Sequence, residues 1–313
     1  MKVFVAGASG AIGQPLVAEL IRKGHKVTGM THSEAGANKL RAYGAEVAIA
    51  NAFHSDAVEA AVRASEAEAV IDELTAIPKA PSELPASAAG DRKLRLEGGG
   101  NLFRAAVGCG VRRYIQQSSG FFLDSKGVLA DENSPLAVNA SPLIASYAQM
   151  YAHLEQRVLE SSMEGVVLRY GFFYGPNTWY HPDGGAADQV RNQQFPMIEG
   201  GAAKWSFVHI EDAAHATVAA LTAHPGKYVV VDDDPSPVSV WLPRFASFVT
   251  APPPAVITAE QARQTAGDDA VYYQTRLSGA SNAKARQHLD FSPRKLAWLS
   301  EPIGDSATRR VAC

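Results

Sequence analysis

The chain has 313 residues, 46% of them apolar, and a formal net charge of −3. Such a chain is long enough for a large core, and its mild acidity excludes an electrostatic claim on nucleic acid or an anionic membrane. Its two cysteines, Cys109 and Cys313, are far apart, which excludes a disulfide framework or a Cys-x-x-Cys redox motif.

The first strand starts at Met1 with no charged leader, and no apolar run approaches the ~18–20 residues that cross a bilayer. These features predict a cytoplasmic protein. "KVFVA" (2–6) is a β-branched and aromatic run, followed by a glycine-punctuated turn and a helical spacing over 11–24. The pattern continues with strand 26–30, helix 36–43, strand 45–49, helix 55–64 and strand 69–75. Residues 77–90, rich in Pro, Ser and Ala, read as a surface loop. Then come a long helix over 91–109, strand 112–118, helix 144–161 and strand 165–170. Residues 173–206, rich in Gly, Pro and aromatics, read as a long functional or mobile segment. Helix 210–222, strand 227–231, a helix near 239–249, a Pro-rich join at 251–254 and a helix over 281–288 complete the ordered chain. Residues 301–313 read as a tail. Strand–helix alternation of this kind predicts an α/β fold, with a parallel sheet covered on both faces.

"GASGAIG" (7–13) places Gly7, Gly10 and Gly13 between the first strand and the first helix. Glycines there allow a tight turn and let the backbone approach a pyrophosphate, while the helix N-terminus supplies N–H donors. A triplet in that context points to a dinucleotide, with Ser9, Ala11 and Ile12 completing the loop. An NAD site ordinarily carries an acid at the end of strand 2. Thr31, His32 and Ser33 stand there instead. This favours NADP(H), with NAD(H) as the alternative. Asn51, beside Ala52 at the end of strand 3, is a candidate for the adenine amino group or a simple loop cap.

Four stretches carry a family resemblance: "GASGAIG" at 7–13, "GVRRYIQQSS" at 110–119, "LRYGFFYGP" at 168–176 and "WSFVHIEDAAHATVAAL" at 205–221. With Tyr147 between the second and third, the chain resembles the extended short-chain dehydrogenase/reductases, or NAD-dependent epimerase/dehydratase family, over about 1–290. The resemblance implies a doubly wound Rossmann sheet (1–170) and a small C-terminal α/β substrate region (171–300). The chain would return to the Rossmann domain around 205–231. It implies that Ser119 and Tyr147 are catalytic and that Ser118, Leu74, Thr75, Tyr170, Gly171, Phe172 and Phe173 lie by the cofactor. The sequence leaves the oligomeric state open; related folds often dimerise through the helices at 91–109 and 144–161, which leaves a homodimer as one option.

The family spaces its tyrosine and lysine as Y-x-x-x-K, and the lysine position here is Tyr151. A lysine lowers the tyrosine's pKa electrostatically; a second phenol gives no such field. Tyr147 is therefore expected to stay protonated, which makes it a proton donor and a poor base. Tyr151 remains able to hydrogen-bond a ribose. The expectation is a reductase acting on an apolar or aromatic carbonyl, quinone or enone. A second reading is an epimerase, isomerase or dehydratase with bound NAD, and a third is a nucleotide-sensing regulator without catalysis. Phe121, Phe122, Trp179, Tyr180 and Trp205 are candidate walls for a flat substrate. His181 and His209 read as structural residues before proton donors. Arg169 and Asp212 read as an ion pair joining strand 6 to the next helix. No histidine or carboxylate spacing suggests a metal.

Overall fold

In the computed structural model, which describes residues 1–300, the N-terminal half alternates as the sequence pattern requires. The elements are β1 (Lys2–Ala6), α1 (Gly13–Arg22), β2 (Lys26–Thr31), α2 (Glu34–Ala42), β3 (Glu46–Ile49), α3 (Ser55–Ser65) and β4 (Ala69–Asp72). There follow α4 (Leu84–Lys93), α5 (Gly99–Gly108), β5 (Arg113–Ser119), α6 (Pro142–Leu159) and β6 (Glu164–Tyr170). The second half contains β7 (Phe172–Tyr174), α7 (Gly185–Arg191), β8 (Met197–Ile198), β9 (Lys204–Trp205), β10 (Phe207–His209), α8 (Ile210–Ala219) and β11 (Gly226–Val230). It ends with β12 (Ser236–Pro237), α9 (Val238–Phe248), β13 (Val256–Ile257), α10 (Ala259–Thr275), α11 (Ala283–His288) and α12 (Ala297–Ser300). The expected tail, 301–313, lies outside the described residues.

Seven parallel strands form the main sheet in the order β11-β6-β5-β4-β1-β2-β3. Both faces are buried because successive side chains alternate between them. Val3 and Val5 of β1 pack with Leu16, Val17 and Leu20 of α1 and with the alanines of α8. Phe4 and Ala6 face the other way, toward Val58 and Val62 of α3 and Leu102 of α5. This is a doubly wound sheet, and its strand order reverses between β1 and β4, where the carboxyl ends open a crevice. A separate aromatic core gathers Tyr174, Tyr180, Trp205, Phe207, Trp241, Phe245 and Trp298 around α9.

Two stretches differ from the sequence reading. Part of the expected loop over 77–90 is helical: α4 starts at Leu84, with a proline in its first turn where no N–H is required. It continues through a five-residue π segment, Leu94–Gly98, into α5. The stretch after the Pro-rich join also holds α10, which the sequence reading passed over. A capping box opens that helix: the Thr258 side chain accepts from the Gln261 N–H, and the Gln261 side chain accepts from the Thr258 N–H.

Candidate active site

Gly7 ends β1 with φ +76°, and a Cβ there would lie 2.3 Å from the Glu73 carbonyl oxygen. A Cβ on Gly13 would lie 2.3 Å from the Gly7 oxygen. The loop thus packs on β4 and on itself at distances only glycine permits. Gly10 is exposed, its N–H donating to Gly7 O at 2.9 Å. α1 begins with no side-chain cap and no acid in its first turn. Its Gln14 N–H donates to Gly10 O at 3.2 Å and Pro15 has no N–H, so the helix start offers an anion chiefly its dipole. Ala11 is partly buried and Ile12 is buried in the core beneath the loop. This cradle fits a dinucleotide diphosphate.

At the end of β2, Thr31 is buried and its hydroxyl sits 3.1 Å from that of Ser9. Ser33 Oγ accepts the Gly36 N–H, capping α2. His32 is exposed. Asn51 Oδ1 accepts the Phe53 N–H at 3.0 Å, as a loop cap does, and Ala52 is buried against Gly98. Leu74 is buried, its N–H on Asp72 Oδ1, while Thr75 is exposed.

Tyr147 and Tyr151 lie side by side on α6, ring centroids 6.4 Å apart, and both are buried. The Tyr147 hydroxyl donates to Asp91 Oδ2 at 3.2 Å. Asp91 is fully buried and also accepts the Ala76 N–H at 2.6 Å and Arg95 Nε at 2.8 Å. Arg95, 5% exposed, extends Nη1 to Gln117 Oε1 and places its guanidinium 5.5 Å from the centre of the Tyr151 ring. Asp91 comes from α4 and Arg95 from the π segment, a helical distortion often found at functional sites. Burial pushes the Tyr147 phenol well above the usual tyrosine range, Asp91 adds to that, and Arg95 opposes it. Tyr151 is raised by burial too, against the pull of Arg95.

Ser119 ends β5, fully buried, with its Oγ near the Phe121 N–H at 3.4 Å. Ser118 points to α6, its hydroxyl on Glu155 Oε1 at 2.6 Å. Glu155 in turn holds Arg169 through two contacts of 2.7 and 2.8 Å. Arg169 therefore does not pair with Asp212, which binds Arg294 instead.

Tyr170 is buried on the α1/α8 side of the sheet, its hydroxyl 2.6 Å from Thr217 Oγ1 and donating to Glu73 Oε1 at 3.3 Å. Phe173 packs against its ring at 5.2 Å. Glu73 is buried, its Oε2 has no partner among the described residues, and burial with the adjacent Asp72 pushes its carboxyl up to about 8. Gly171 passes so close to β10 that a Cβ would meet Ser206 O at 2.6 Å.

Beyond β5 and β6 three rings form one stack. Phe121 lies on Phe172 at 4.0 Å and 15°, and Phe172 on Trp205 at 4.2 Å and 17°. Phe122 turns toward Tyr147, 6.0 Å away. Tyr180 meets Phe207, Trp241 and Phe245 edge-on and belongs to the aromatic core. Trp179 ties its indole N–H to Pro78 O at 2.8 Å. A cavity of about 10 Å³ remains beside Phe121, lined also by Lys204, Ser206 and Leu277.

Asp91, Arg95, Glu73 and Gln117 escaped the sequence reading. An acid and a base four residues apart on a helix ordinarily describe a solvated pair. Asp91 also stood at the edge of a presumed loop.

A doubly wound sheet with a glycine cradle at its switch point and a buried phenol pair beside it defines a nicotinamide-dependent enzyme. The chain belongs to the NAD-dependent epimerase/dehydratase family, whose model matches residues 3–231, and it is an NAD(P)-dependent enzyme of the oxidoreductase type. Among individual proteins it is 38% identical to a 3-diazoavenalumate denitrifying reductase from a Streptomyces species, over 95% of this chain and 98% of that one. It is 27% identical to a 4-hydroxy-2-methyl-3-oxo-4-farnesyl-3,4-dihydroquinoline-1-oxide ketoreductase of Stigmatella aurantiaca, over 77% of this chain and 70% of that one. Its fold is similar to the UDP-glucose 4-epimerase of Thermus thermophilus in complex with NAD, with TM-score 0.70 and 22% identity over 95% and 96% of the two chains. It is also similar to that of Bifidobacterium longum in complex with NAD+ and UDP, with TM-score 0.71 and 17% identity over 95% and 94%. Among the described residues no helix is long and apolar enough to cross a membrane.

Proposed function

We propose that the protein is an NADPH-dependent reductase of flat, apolar, electrophilic small molecules: aromatic carbonyls, quinones, enones or aryl diazo compounds. The observation that carries this reading is the Tyr147 phenol, buried, hydrogen-bonded to Asp91, and followed four residues later by a second phenol in place of a lysine. The absence of an acid at Thr31, His32 and Ser33 supports NADP(H), with exposed His32 available to a 2′-phosphate. The glycine loop and the positive end of the α1 dipole would hold the diphosphate. Reduced nicotinamide bound in the crevice supplies a hydride.

The protein's own groups then decide which acceptors are served. An oxygen that gains an electron pair needs a proton, and Tyr147 holds one at its hydroxyl. Ser119, at the carboxyl end of β5, is the second candidate to polarise that oxygen by the family resemblance. An aryl diazonium carbon takes the hydride as dinitrogen leaves with the C–N bonding pair, and no proton is required. The names of the reductase relatives accord with both kinds of acceptor. Phe121, the partly exposed end of the Phe121–Phe172–Trp205 stack, offers an apolar surface to a flat ring, with Phe172 and Trp205 buried behind it. An epimerase reading asks for a base, and a raised phenol beside a carboxylate is a poor one.

Tyr147→Phe separates the two acceptor types. Turnover on a ketone or quinone is expected to fall about 10²-fold, in the range of a lost general acid. Turnover on an aryl diazonium salt is expected to change less than about threefold, because no proton enters that step. Nucleotide affinity, measured by fluorescence titration, should be unchanged. Equal losses on both substrates, or none on either, would remove Tyr147 as proton donor.

A further inference from the structure

The motif reading leaves the catalytic helix without a cation, yet a buried cation stands beside it. Arg95 comes from another helix, through the π segment, and lies under the Tyr151 ring. Asp91, one helical turn earlier, joins Arg95 to the Tyr147 hydroxyl through a single carboxylate oxygen, Oδ2. We propose that Arg95 and Asp91 are the positioning pair of this active site: Arg95 supplies the positive charge that position 151 lacks, and Asp91 neutralises it while holding the Tyr147 hydroxyl proton. This rests on the reading of Tyr147 as the proton donor and adds what controls that proton.

The arrangement is built, not incidental. Asp91 is fully buried, and a backbone N–H, a guanidinium and a phenol converge on its two oxygens. Arg95 is buried as well and anchored by Gln117 of β5. A buried charged pair of this kind gives little net stability against apolar replacements, so its presence beside two phenols calls for a functional reason. The titratable and charged groups here come from several elements, while β5 brings the neutral Gln117. α4 and the π segment bring Asp91 and Arg95, α6 brings Tyr151 and Glu155, the residue after β4 is Glu73, and α10 brings buried Tyr273. Arg95 is the cation among those named. Opposed by Asp91, it leaves Tyr147 a donor; unopposed, it would pull the phenol's pKa down against the effect of burial and make Tyr147 less poor a base.

Asp91→Asn tests this on the full-length protein without requiring turnover. Tyrosine ionisation is followed by ultraviolet difference spectroscopy, with Asp91→Asn/Tyr147→Phe as the blank that assigns the step. In the wild type that step lies above the ordinary tyrosine range. In Asp91→Asn it is expected to fall by at least one pH unit, a tenfold gain in phenolate at a given pH. Oxidation of an alcohol by NADP+ should rise with it. In Asp91→Asn/Arg95→Gln the step should return upward, since neither charge remains. An unmoved step in Asp91→Asn, or an equal fall in the double variant, overturns the proposal. Should Asp91→Asn not fold, Arg95→Lys and Arg95→Gln decide. The lysine variant should keep ketone turnover within about threefold of wild type, and the glutamine variant should lose at least tenfold at unchanged nucleotide affinity. Equal losses in the two would contradict the charge assignment. Loss of turnover in Tyr147→Phe tests the catalytic reading separately, because the spectroscopic step does not depend on it.

Discussion

Gly7→Ala is expected to abolish nucleotide binding and to cost about 3 kcal/mol of stability. Two independent penalties act at this position. Its φ of +76° lies where an L side chain is strained, and the new Cβ would stand 2.3 Å from the Glu73 carbonyl and 2.7 Å from its carbon. Those atoms are backbone at the end of β4, so they cannot turn aside as a flexible side chain would. The loop must lift away from the strand, which carries the glycine turn and the start of α1 out of line with a bound diphosphate. Fluorescence titration should show at least a hundredfold weaker binding of both nicotinamide nucleotides. Urea unfolding should show the stability loss. A variant that binds as tightly as wild type would place the nucleotide elsewhere.

Glu73→Gln is expected to stabilise the protein at alkaline pH, and the effect should vanish in acid. A glutamate of ordinary behaviour loses its proton near 4.5, whereas the buried Glu73 does so at about 8. Below pH 4.5 both folded and unfolded chains carry the proton. Between the two values the unfolded chain binds fewer protons than the folded one, so wild-type stability falls as pH rises and levels off above about 8. At about 1.4 kcal/mol per pH unit the full interval corresponds to roughly 5 kcal/mol, and pocket relaxation lowers the expected difference to about 2–4 kcal/mol. Glutamine matches the neutral acid in shape and keeps an oxygen for the Tyr170 hydroxyl, so it escapes this loss. Asp232, buried and held up at about 7, slopes the same way in both proteins and cancels in the comparison. The measurement is urea unfolding of the two proteins at pH 5 and pH 8.5. Equal stability of the two proteins at pH 8.5 would mean that the Glu73 carboxyl is not held above its ordinary range and ionises in place without cost.

These effects also mark where sequence reasoning reached and where it stopped. The main sheet was legible because β1, β4 and β6 carry apolar runs bounded by turn residues, as strands buried on both faces do, although β5, RYIQQSS, is mostly polar. The glycine loop was legible because its position after β1 gives its spacing a meaning. α4 was obscured by Pro81 and Pro85, which read as breakers yet stand at helix starts where proline is tolerated. α10 carries little amphipathic contrast and is broken at Gly267, φ +82°; its capping box, Thr258 to Gln261, was the one local signal that could have revealed it. Tyr180 read as a substrate wall because composition alone does not tell a pocket from a core. Here its ring is enclosed by Phe207, Trp241 and Phe245. The missing lysine at Tyr151 was plain in the sequence. The cation nearby was not, because only the tertiary fold brings the π segment of one helix under the tyrosines of another.

The most direct test runs both directions of the reaction at neutral pH on the unmodified protein. Consumption of NADPH is followed with a quinone, an aromatic ketone and an aryl diazonium salt, and NADPH formation is followed with NADP+ and the matching alcohol. Consumption with at least one acceptor, and alcohol oxidation at least about 10²-fold slower, is the expected result for a site whose phenol keeps its proton. Alcohol oxidation at a comparable rate would reveal an effective base and contradict it.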